Sequence, residues 1–137
     1  MRTDSFNWPV RVYYEDTDAA GIVYHANYLR FMERARTEWL RVLGFEQDVL
    51  AATAGVVFVI TGSVLKFVRA ARFNDELLVV STLERLGGAS MAMVQAITDT
   101  SGRTVCSATN TVACVDHQTL QPRRLPADML RVFKGAD

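Results

Sequence analysis

One segment limits what this chain can become. Between Asn27 and Leu43 the apolar residues Tyr28, Phe31, Met32, Ala35, Trp39, Leu40 and Leu43 recur at three- and four-residue steps, the spacing of one helical face. Arg30, Arg34, Glu38 and Arg41 take the opposite face, and Glu33, Arg36 and Thr37 fall at its margins. Gly44 stands where a C-cap belongs, so a helix is expected over about 27–43. No second helix of comparable length is legible. The apolar stripe must therefore be covered by strands.

Strand patterns fill the rest. Residues 10–16, VRVYYED, alternate and are rich in β-branched and aromatic types. After the helix come VVFVITGSVLKFV (56–68), with Gly62 as a candidate bulge, and ELLVVSTLERL (76–86), which runs into the turn signal Gly87-Gly88. SMAMVQAIT (90–98) and TVCSATNTVACVD (104–116) flank a hairpin loop, and the tail leaves room for one short helix between Pro126 and Gly135. The order is strand, long helix, then four strands in a meander. It predicts an α+β class, with one antiparallel sheet of about five strands curled around a central helix, and residues 1–137 as a single domain. Open edges on such a sheet favour self-association.

Charge and composition exclude several classes. Fifteen Lys and Arg balance fifteen Asp and Glu, leaving no basic excess for a phosphate backbone, so no nucleic-acid partner is expected. The opening MRTDSFNWPV lacks the apolar stretch of a signal peptide, and no run approaches the roughly 20 apolar residues of a membrane span. A soluble, cytoplasmic protein without membrane insertion is the expectation. Cys106 and Cys114 lie eight residues apart in one expected strand. That is about 26 Å at 3.3 Å per residue, beyond disulfide reach, and they read as small buried hydrophobes with free thiols.

The stretch YYEDTDAAGIVYHANY (13–28) concentrates the chemistry. As a calcium loop starting at Asp16 it has Ala20 at the fifth position and Asn27 at the twelfth, so it lacks an oxygen ligand and the bidentate Glu. Asp16, Asp18 and His25 match no zinc spacing, and no metal is assigned. Two readings remain. Asp18 and Gly21 can simply form a turn, or Asp18 can be a working carboxylate beside free N–H groups at the entrance of the main helix. The apolar and aromatic content of GIVYHANY suggests a partly buried loop. Asn27 is the expected helix cap, and Glu15 and Asp16 are expected merely to finish a strand.

Arg11-Val12, Thr17-Asp18, Gly21-Ile22-Val23 and Ala26-Asn27-Tyr28, at their spacing here, resemble the signature of the hotdog-fold 4-hydroxybenzoyl-CoA thioesterase family. WPVRVYYEDTDAAGIVYHANYLRFMERARTEWLR (8–41) is similar almost throughout to the branch associated with the Tol-Pal envelope system. The resemblance implies an acyl-CoA thioesterase, with acyl carrier protein as a second carrier. It implies no metal or organic cofactor, and a homodimer or homotetramer with the pocket between subunits. Residue by residue, it implies Asp18 as nucleophile or general base and the His25 backbone N–H as the donor to the thioester carbonyl. The His25 ring and Tyr14 then line the site, with Gly21, Val23 and Tyr24 as further substrate-binding positions. Glu33 falls where some relatives carry a second helix carboxylate, though a structural role suits it better.

The pattern departs at RLGGAS (85–90), where relatives carry basic residues for the nucleotide end of CoA and this chain keeps only Arg85. Lys66, Arg69, Arg72, Arg123 and Arg124 are the other cations available. Two alternatives stay open: a non-catalytic module binding acyl thioesters or envelope partners, and an enoyl-thioester hydratase on the same fold.

Overall fold

The computed structural model describes residues 5–135. The expectation about a leader segment rests partly on residues 1–4, which lie outside that range. The chain forms β1 (Ser5–Arg11), α1 (Asn27–Val42), α2 (Gln47–Thr53), β2 (Val56–Phe67), β3 (Glu76–Leu86), β4 (Ser90–Thr98), β5 (Thr104–Asp116) and α3 (Ala127–Phe133). The five strands make one antiparallel sheet in the order β1-β3-β4-β5-β2. No helix among the described residues is long and apolar enough to cross a membrane.

The central helix follows from its stripe. Tyr28, Phe31, Met32, Ala35, Trp39 and Leu40 are all buried against the sheet, and Leu43 packs at the margin. Its end is a Schellman motif: the Phe45 N–H donates to Leu40 O (2.8 Å) and the Gly44 N–H to Arg41 O (3.0 Å), with Gly44 at φ +98. Phe45 and Leu40 then share one apolar cluster.

Three sequence expectations need correction. The meander is interrupted, because only the short links after β3 and β4 make hairpins. The longer link 68–75 carries the chain across, so β2 pairs with β5 and β1 takes the free side of β3. The first strand covers Ser5–Arg11 rather than 10–16. Pro9 is tolerated there because β1 is an edge and its missing N–H leaves no ladder bond unmade. Beyond Val12 the chain tightens into a 3-10 turn, Tyr14–Asp16. The third correction is α2, whose seven residues bury only Leu50, too little for a readable period. The Gly62 bulge is where it was expected, the β2–β5 register shifting between Ile60 and Gly62.

The core falls into two clusters, one around Phe31 and Met32, the other around Trp39 and Met129. Between them lies a buried polar layer of Ser81, Gln95 and Asn110, each fully buried. Gln95 Nε2 donates to Met32 O (3.0 Å) and Ser81 Oγ (2.9 Å), while its Oε1 accepts from Asn110 Nδ2 and Arg36 Nη1, both at 2.9 Å. Cys106 and Cys114 are free and buried, and burial pushes the Cys106 thiol up to about 11.

Two loop carboxylates tie the strand ends. Hydrogen bonding by the Ser101 hydroxyl, with backbone N–H groups of Arg103 and Ser101, holds Asp99 at about 2. The Thr119 and Gln118 N–H groups, with Arg123, do the same for Asp116. Both values lie below the ordinary 3.8, so the folded state favours the ionised forms. Their contribution is complete above about pH 4 and disappears as the pH falls towards 2. Urea midpoints should therefore drop between these limits, and Asp99→Asn with Asp116→Asn should flatten the drop.

Candidate active site

The loop between β1 and α1 is built from three local devices. Thr17 and Val23 pair as an isolated bridge, and the Asp18 N–H donates to Ile22 O (3.0 Å). The Gly21 N–H closes the turn on Asp18 O (2.9 Å), with Gly21 at φ +79, a conformation other residues rarely adopt. A Cβ added at Gly21 would meet no atom within 4 Å, so backbone freedom, not crowding, is what its glycine supplies. The 68–75 link clamps this hairpin: Ile22 bridges to Arg72, and the Val23 N–H donates to Ala71 O (2.8 Å).

The second device is Asp16, which does more than finish a strand. It is 3% exposed; its Oδ2 accepts from the Tyr13 N–H (2.7 Å) and its Oδ1 from Asn27 Nδ2 (2.6 Å). Its carbonyl accepts from the Tyr24 N–H (2.9 Å). Asn27 is thereby drawn away from the cap position, which Ala26 fills without a side-chain bond. This is the fourth correction, and its cause is non-local: the amide is worth more to a buried carboxylate eleven residues earlier than to its own helix.

The third device is the entrance of α1. Tyr24 gives its N–H to Asp16, Asn27 gives its own to Tyr24 O, and the His25 and Ala26 N–H groups between them have no acceptor among the described residues. They sit at the positive end of a 16-residue helix. The His25 ring lies against Tyr24 (centroids 4.6 Å apart) and edge-on to Phe67 of β2 (6.0 Å).

The carboxylate of Asp18 is solvent-exposed, and its Oδ1 accepts from the Ala20 N–H (2.9 Å), the turn role its sequence also allowed. The other oxygen has no partner among the described residues. Asp18 and His25 thus share one loop without touching: Asp18 marks the turn, His25 the helix entrance. Tyr14 is 80% exposed and packs near Phe73 (6.1 Å), while the Val23 side chain is 3% exposed and taken up by the core. Of the proposed lining residues, only Tyr24 is seen against His25. The loop is also more open than its composition suggested, since Tyr24, His25 and Ala26 are all exposed in the single chain. The described residues hold no cluster of three or more His, Cys, Asp or Glu suited to a metal.

Sequence reasoning missed Asp16 with Asn27, and Tyr28, whose hydroxyl accepts from the Ala71 N–H (3.3 Å) and anchors α1 to the clamp. Chemically, the loop offers free backbone donors at a helix N-terminus and one exposed carboxylate on the same loop, the parts needed to polarise a carbonyl and attack it.

Proteins similar to this chain are named acyl-CoA thioester hydrolases and acyl-CoA thioesterases. Residues 12–133 match the family model of the thioesterase-like superfamily. The acyl-CoA thioester hydrolase YbgC of Escherichia coli O6:H1 is 42% identical over 134 residues, covering 98% of this chain and 99% of the relative. The acyl-CoA thioesterase YbgC of Haemophilus influenzae is 40% identical over 133 residues, 97% of each. Among solved structures, Slr0204, a 1,4-dihydroxy-2-naphthoyl-CoA thioesterase from Synechocystis, superposes with a TM-score of 0.88 at 21% identity, covering 95% of this chain and 96% of that one. At that identity the likeness is one of fold. A five-stranded antiparallel sheet around one long helix, matched from Val12 to Phe133 and shared with relatives of nearly equal length, makes this chain a member of the thioesterase-like superfamily with the hotdog fold.

Proposed function

We propose that the protein is an acyl-CoA thioester hydrolase in which the His25 N–H receives the thioester oxygen and Asp18 attacks the carbonyl carbon or activates water for the attack. The observation that carries this reading is the pair of N–H groups of His25 and Ala26 at the head of α1, which have no acceptor among the described residues while those of Tyr24 and Asn27 on either side are engaged. A developing oxyanion there gains a donor and the helix dipole together. Water is the only co-substrate, and the free Asp18 oxygen is the group that begins the reaction. Acyl-carrier-protein thioesters and a link to the Tol-Pal system complete the proposal on the motif resemblance, and a cytoplasmic location on the reading of the N-terminal sequence. The direct test is thiol release from a panel of acyl-CoA and acyl-carrier thioesters. Catalytic release supports the reading, and its absence across the panel overturns it.

The Asx turn made by Asp18 favours a second reading, a module that binds thioesters without cleaving them. Saturable binding without thiol release would establish it.

The active unit is proposed to be a homodimer or a dimer of dimers. β2 is an edge of twelve residues, and Ile60, Val64 and Phe67 are 46%, 76% and 50% exposed along it. A bare, apolar edge of this length is a template for pairing with a second copy. Phe67 beside His25 places that edge at the site, so a partner strand would also cover the open loop. Val64→Asp is expected to shift the protein to monomer in sedimentation and to lower turnover with it. A dimer that persists in the variant would refute the edge.

A further inference from the structure

Between α1 and β2 lies a cavity of about 150 Å³. Its walls include Leu40, Phe58, Ile60, Met93 and Val112, and one wall carries the half-buried guanidinium of Arg36. A guanidinium has five donors. Among the described residues Arg36 finds a single acceptor, Gln95 Oε1, and no carboxylate within ion-pair distance. Burial disfavours its charge, opposed by Glu33. Behind it, Asn110 Oδ1 is buried without a partner. The cavity is thus mixed, with apolar walls from β2, β4 and β5 and polar groups of Glu33, Arg36, Thr37 and Gln47 on the helical side. Glu33 stands at the mouth, with Oε2 accepting from the Thr37 hydroxyl (2.6 Å).

We infer that this cavity receives the acyl tail of the substrate, and that Arg36 selects tails bearing an uncharged oxygen, hydroxyl or carbonyl, near the far end. The inference rests on the hydrolase reading and adds to it a substrate class. An oxygen in reach of Arg36 gives the spare N–H groups the partner that Gln95 alone does not provide. A carboxylate at the same place would meet the charge of Glu33 on entry, which an uncharged oxygen avoids. The cavity lies along the same helix as the proposed reacting end. Phe67 lies by His25 and Phe58 by the cavity, so α1 and β2 run side by side, and Arg36 is eleven residues past His25, roughly 16 Å along the helix.

The test compares straight-chain acyl-CoAs with ω-hydroxyacyl-CoAs of equal carbon number, over a series of lengths, in wild type and Arg36→Met. At the best length the hydroxylated tail should have a kcat/KM higher by about tenfold, the scale of one hydrogen bond to a charged donor, and Arg36→Met should bring the ratio close to one. Hydrolysis of plain tails with no preference at any length, or a preference that survives Arg36→Met, overturns the pocket while leaving the hydrolase standing. Release of thiol from neither series refutes the hydrolase, and the pocket is then decided by equilibrium binding of the corresponding free acids, where the same preference and the same loss are required. If Arg36→Met does not fold, Val112→Phe narrows the cavity from β5, outside both the β2 edge and the polar layer. It should abolish the hydroxyl preference, and retention of the preference counts against the assignment.

Discussion

Asp18→Asn is expected to lower thioester turnover by at least about 100-fold while the protein keeps its fold and its oligomeric state. Loss of a nucleophile or general base costs on that scale or more. The substitution is unusually clean here. The bond that Asp18 makes to structure is accepted by Oδ1 from the Ala20 N–H, and an Asn side-chain oxygen can accept the same bond. What disappears is the charge and the second oxygen. Free-thiol assays should show the loss with circular dichroism and sedimentation unchanged; turnover within a few-fold of wild type would remove Asp18 from the mechanism and leave it the turn residue.

Asp16→Ala should do the reverse in its primary effect. It leaves the part-buried Tyr13 N–H and the buried Asn27 amide without their acceptor, each costing on the order of 1–3 kcal/mol. A stability loss of about 2–4 kcal/mol in urea unfolding is expected, large beside the whole stability of a domain this size. Activity should fall as well, because the Asp16 carbonyl and Asn27 fix the stretch from which the His25 N–H points. A variant of wild-type stability would show that the buried cluster is not what holds the loop. Together the two substitutions separate neighbouring acids that differ by two residues in sequence and completely in task.

That difference marks how far the sequence could be read. The last three strands were legible to the residue, because alternation along β3, β4 and β5 ends at Gly87-Gly88 and at Asp99–Gly102, where short turns are forced. The long helix was legible because one stripe and one glycine define it. The roles of Asp16 and Asn27 were not, since they pair across eleven residues through a 3-10 turn that leaves no periodic trace. Nor was the swap that puts β2 beside β5, which depends on the reach of the 68–75 link rather than on any pattern within a strand. The motif puts the candidate site on the loop before α1, where the structure shows Asp18 at the turn and His25 at the helix entrance, each without contact to the other.

The polar layer across the core has a consequence for how such an enzyme can change. Gln95 meets Met32 O, Ser81, Asn110 and Arg36 only when α1 is seated at one rotation about its own axis. A helix turned by even a fraction of a residue would strand several of these groups at once. The layer therefore works as an indexing pin: Phe58, Met91 or Met93 can be exchanged for other apolar residues, reshaping the cavity wall, while the head of α1 keeps its heading. Substrate range can drift over generations with the His25 amide still aimed at the same point.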